Sequence, residues 1–157
     1  MSTTDTTPLQ MLLEREQQTR DDAALALQRA QDQLARADAQ ATMFRQHRAD
    51  YVARWQGEFQ RAGGIEIVQC YRSFITRLDQ ALGQIEAQHR HAAAMVERCR
   101  ARLVQAQTRV AAIEALLERR RQAQALTERR REQKQTDEMA QRSAWLARQV
   151  MGAPAMG

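Results

Sequence analysis

Aromatic residues are scarce in this chain: they make up 4% of it, as two tryptophans, two tyrosines and three phenylalanines. So few large rings do not fill a compact globular core, and burial is expected as a stripe along helices. Proline occurs twice and glycine six times, so helix breakers are almost missing, and the shortage of β-branched residues argues against sheet. The two cysteines, Cys70 and Cys99, form no CxxC and no Cys/His cluster, which leaves a structural zinc site without ligands. His47, His89 and His91 do not make an HxxxH pair on one helix face and read as ordinary helix residues. No apolar run approaches the roughly 18 residues that cross a bilayer. The opening MSTTDTTPLQ lacks the charged and apolar regions of a signal peptide, so a cytoplasmic protein is expected. Phosphate-cradling glycine loops, a nucleophile elbow and HExxH are also missing. Paired carboxylates occur only as Asp21-Asp22 and Asp137-Glu138, on helices expected to be solvated. The chain reads as a non-enzyme without cofactors that works by contact.

What the sequence does contain is helix-forming: 43% apolar and 27% charged residues, dominated by Ala, Leu, Gln, Glu and Arg, over a length of 157 that suits one domain. In TTPLQ, Thr7 can cap a helix, Pro8 fits the first helical position and Gln10 sits where a capping box wants Glu or Gln. A 3-4 repeat then runs through Ala23, Leu27, Ala30, Leu34, Ala37, Ala41, Phe44, Arg48, Tyr51 and Trp55, broken only by Arg48. It resumes at Val68 and Tyr71 and holds without a skip through Ile85, His89, Val96, Cys99, Ala106 and Val110 to Leu117. Between the two seams lies the chain's only Gly-Gly pair, Gly63-Gly64. Glycine ends a helix in a left-handed conformation and lets the chain reverse. Two seams joined there make an all-α fold, a long antiparallel two-helix coiled-coil hairpin. The expected organisation is a single coiled-coil domain: helix one at about 8–61, a hinge at about 62–65, helix two at about 66–148 and a frayed tail at 149–157. Folding about position 63 sets Leu9 opposite residue 117, where the second seam ends and Arg119, Arg120 and Arg121 begin. The tail beyond has no sustained stripe; it either extends the second helix unsupported or stays partly disordered until bound.

Charge and aromatics are both unevenly placed. Residues 1–97 hold 11 Arg and 13 Asp/Glu, a net −2, whereas residues 98–157 hold 13 Lys/Arg and 6 Asp/Glu, a net +7. That basic half is either a solvated face or a surface for an acidic partner. Six of the seven aromatics, Phe44, Tyr51, Trp55, Phe59, Tyr71 and Phe74, lie within 20 residues of the glycines. Tyr51, Trp55 and Tyr71 fall on the seam and read as packing; Phe59 and Phe74 fall off it, where exposed rings commonly anchor interfaces.

Three stretches, RADYVARWQ, CYRSFITRLDQAL and ERRREQKQTDEMAQR, placed in this order around a glycine hinge, resemble the FliJ family of flagellar export proteins over about residues 9–148. The resemblance implies a two-helix coiled coil similar to the central stalk of rotary ATPases. Its implied partners are the hexameric ring of the flagellar export ATPase, the cytoplasmic domain of the export gate membrane protein, and export chaperones that it helps recycle; no nucleic acid is expected. It implies a cytoplasmic protein, peripherally associated with the inner-membrane export apparatus. The family's gate-binding positions fall here on Phe44, Tyr51, Phe74, Leu78 and Ala81, while His47 and Ile85 depart from the pattern. The tip that carries the termini, with Leu9, Leu12, Leu13 and Arg119, Arg120 and Arg121, is the implied ATPase contact. Two other readings stay open: the equivalent stalk of a virulence secretion system, and a nucleic-acid-binding coiled coil, against which the acids interleaved in the tail argue.

Overall fold

A computed structural model describes residues 7–59, 61 and 64–152, the side chains of Thr7 and Phe59 excepted. Two helices account for nearly all of it: α1 spans Thr7–Phe59 and α2 spans Ile65–Met151, with no strand among the described residues. They pack against each other as a helical hairpin. The expected cap on Thr7, the exposed ring of Phe59, the hinge residue Gly63 and the tail from 153 onward lie outside the described residues.

By its internal packing the chain divides into two units, one of Glu14–Val110 and one that joins the residues up to Leu13 to those from Ala111 onward. Within Glu14–Val110 the burial follows the 3-4 repeat. Ala30 and Ala41 are buried on α1, Ile85, Val96, Cys99, Ala106 and Val110 on α2, and the remaining seam positions of both helices are half-buried. A central cluster of Ala30, Val96 and Cys99 is flanked by Leu27, Leu34 and Met95. Small residues on α1 facing larger ones on α2 explain how two helices alone bury anything: alanine lets the backbones approach, and Val or Ile fills the gap.

Polar side-chain contacts between the helices fix direction and register. Arg48 Nε donates to Asp79 Oδ1 at 2.6 Å, Arg45 Nε to Glu86 Oε1 at 3.3 Å, and His89 Nε2 lies 3.3 Å from Asp38 Oδ1. As the number rises on α1 it falls on α2, so the pair is antiparallel. Arg48, the one break in the apolar repeat, keeps its place on the seam by turning its guanidinium to the partner helix, half-buried along its stem.

Gly64 does not carry the left-handed backbone that the hinge was expected to use, since no described glycine has positive φ. Its role is at the start of α2: its carbonyl accepts the first helical bond, from Val68 N at 3.3 Å, and Glu66 lies in the first turn where it complements the helix dipole. At the C-terminal end Gly152 N donates to Arg148 O at 2.8 Å, and a Cβ on Gly152 would meet that same oxygen at 2.9 Å.

In the second unit Leu9 and Leu13 of α1 are half-buried, as are Ile113, Leu117 and Arg120 of α2. Past Arg120 every residue of α2 is exposed, to its end at Met151. The tail is therefore an extension of the second helix that none of the described residues covers.

Candidate functional site

Between Phe44 and Leu78 the coil carries its large rings. Tyr51 lies at their centre. Its ring centroid is 4.2 Å from that of Phe74, 5.9 Å from Trp55 and 6.3 Å from Tyr71, to which it is nearly parallel; Trp55 and Tyr71 are 5.4 Å apart. Offset and tilted contacts at these spacings each contribute about 0.5–1.5 kcal/mol beyond burial. The seam aromatics thus pack across the two helices. Phe74, off the seam, leans on Tyr51 and still leaves 41% of its surface in solvent.

This leaning opens a groove of about 460 Å³ along the side of the coil, lined by Phe44, Tyr51, Phe74 and Leu78, with His47, Asp50 and Arg54 around it. The first four are gate-binding positions that the family resemblance assigned, and they come from both helices. Ala81, the fifth, is half-buried one turn beyond Leu78 and does not line the groove. Sequence reading missed Asp50 and Arg54. Their signal was present, because positions 47, 50, 51 and 54 recur on one face of α1, but a charged residue beside a seam looks the same whether it faces water or a groove. An apolar floor within a polar rim is the usual anatomy of a protein-binding surface.

The termini positions gather in the other unit but differ in exposure. Leu9 and Leu13 are half-buried, whereas Leu12 is 42% and its neighbour Met11 65% exposed. Arg119 and Arg121 are exposed, Arg120 half-buried, and Arg121 Nη2 pairs with Glu118 Oε2 at 2.8 Å. Among the described residues no three His, Cys, Asp or Glu side chains come together as a metal site, and no helix is long and apolar enough to cross a membrane.

Two long helices packed as a hairpin, with an aromatic groove on the flank, define a coiled-coil protein. The family of flagellar FliJ proteins matches residues 5–149, nearly the whole chain, and this chain belongs to it. No curated protein and no solved structure matches it with significance.

Proposed function

We propose that this chain is a non-enzymatic, stalk-like component of the flagellar type III export apparatus that links the export ATPase to the export gate. Leu9, Leu12 and Leu13, with Arg119, Arg120 and Arg121, bind the hexameric ATPase ring and stimulate its hydrolysis. The groove of Phe44, Tyr51, Phe74 and Leu78, with Ala81 beside it, binds the cytoplasmic domain of the gate. Bound in this way, the protein works in the cytoplasm at the inner-membrane apparatus and helps recycle export chaperones.

The observation that carries this reading is the convergence of four gate-matching positions from two helices on one groove. Packing alone gives no reason for Phe74, which lies off the seam, to be held 4.2 Å from Tyr51 with its outer face in water. A partly exposed ring fixed by a neighbour is preorganised for docking, because the entropy of ordering it has been met before binding. Affinity capture from native cytoplasm tests the reading: the export ATPase should come with the protein, and the purified pair should hydrolyse ATP faster than the ATPase alone. Capture of nucleic acid, with no ATPase, would assign the chain to another class.

A further inference from the structure

The last turns of α2 carry a pattern that neither the hairpin nor the groove uses. From Met139 to Met151 the helix is uncovered. Met139 is 68%, Leu146 55%, Val150 78% and Met151 91% exposed. At about 100° per residue, Met139, Leu146 and Val150 stack on one side, and Ala140, Ala147 and Met151 widen that side into an apolar arc interrupted only by Ser143. The segment contains no acid; Asp137 and Glu138 precede it. Its two charges, Arg142 and Arg148, fall at the two borders of the arc, and neither pairs with a carboxylate of the described chain. Trp145 stands on the far side, next to Glu138, Gln141 and Arg142.

We infer that residues 139–151 form an in-plane binding element for an anionic membrane surface. Apolar side chains on one face, with arginines at both edges of it, allow the helix to sink to the level of the acyl chains while the guanidinium groups reach outward to lipid phosphates. The size of the face decides against a protein occupant. Thirteen residues of helix are about 20 Å long and 10 Å wide, so one face offers on the order of 200–300 Å². A stable protein interface takes about 800 Å² per partner and centres on aromatic anchors. This arc has a third of that area, and its one ring points away. A bilayer sets no such threshold, since binding rises smoothly with buried apolar area and with charge. The inference does not depend on the ATPase or gate contacts.

The test uses the whole chain and sedimentation with vesicles. It should bind vesicles of phosphatidylcholine with a third phosphatidylglycerol, and bind pure phosphatidylcholine far more weakly. Arg142→Gln and Arg148→Gln should each weaken binding by about fivefold. Leu146→Glu should weaken it at least tenfold with helicity unchanged, since Leu146 is exposed and outside the packed seam. Binding untouched by Leu146→Glu would mean simple adsorption of the arginines at 119–131, and would overturn the inference. So would equal binding to neutral vesicles, no binding at all, or a chain dimer in sedimentation velocity that Leu146→Glu abolishes.

Discussion

Arg48 shows how one residue can break a pattern and still belong to it. Its hydrogen bond to Asp79, and secondarily the charge of that carboxylate, raise its pKa above the ordinary arginine range. A cation whose pKa is raised on folding lends stability that is complete below its unfolded value and lost only as pH climbs through the folded one. For arginine that window lies above any pH at which the protein works, so salt and not pH is the lever on this pair. A double-mutant cycle of Arg48→Ala and Asp79→Ala in urea should show favourable coupling that shrinks as sodium chloride is added. Coupling of zero at low salt would leave the register to the apolar seam alone. From the sequence Arg48 could be read as a seam residue with a covering stem, but its partner could not be named, because the register between α1 and α2 is a tertiary fact.

The cysteines make a second prediction at this scale. Cys70 is exposed and Cys99 buried, 29 residues apart on the same helix, a separation of about 43 Å that no disulfide bridges. A thiol reagent should label Cys70 at once and Cys99 only on unfolding, and mild oxidation should yield only dimers linked through Cys70. An intramolecular disulfide found by intact mass would contradict a continuous α2.

Between elements, periodicity carried most of the information. Both seams were legible because a 3-4 repeat buries one stripe whatever lies beyond it, and every seam position from Ala23 to Trp55 and from Val68 to Leu117 is buried or half-buried. The reversal was less legible. Gly-Gly marks where a helix can break, but which glycine takes which backbone angle depends on the closure of the turn; Gly64 caps α2 without positive φ. Leu9, Leu13, Glu16 and Arg20 extend the packed stripe to the start of α1, which the polar Glu16 and Arg20 hid.

Packing density along the hairpin has measurable consequences. Ala41 is fully buried, so Ala41→Leu should overpack the interface and cost about 1–3 kcal/mol in urea unfolding. Leu126, half exposed beyond the packed region, should tolerate Leu126→Ala with no change in global stability. The same contrast governs dynamics. A helix without tertiary contacts is only marginally stable in water, so amides at 121–151 should exchange with solvent far faster than those at 85–110. Equal protection in both stretches would reveal a cover on the tail.

At the scale of the whole molecule, the gate-matching groove and the termini positions fall in different packing units and share no residue. Sites without shared partners respond additively to substitution, so each proposed activity should be separable. Exposure sharpens the choice of probes. Leu13 and Tyr51 are half-buried on the seam and would perturb folding, whereas Leu12 and Phe74 are exposed enough to change without loosening it. The groove was only partly legible: Phe74 stood out as an off-seam ring, but Asp50 and Arg54, on the face of α1 that His47 and Tyr51 share, could not be told from solvated charges until α2 supplied the facing wall.

In the proposed function, one coiled coil serves the export ATPase and the export gate through separate surfaces. The most direct test measures both activities on the same variants, once circular dichroism has shown that each keeps its helicity: ATP hydrolysis by the export ATPase, and calorimetric binding to the gate's cytoplasmic domain. Phe74→Ala should weaken gate binding by about tenfold or more, the cost of a buried aromatic anchor, and leave ATPase stimulation intact. Leu12→Asp should reduce stimulation and leave gate binding intact. If each folded variant impairs both activities to the same degree, the two surfaces are not separate and the account is wrong.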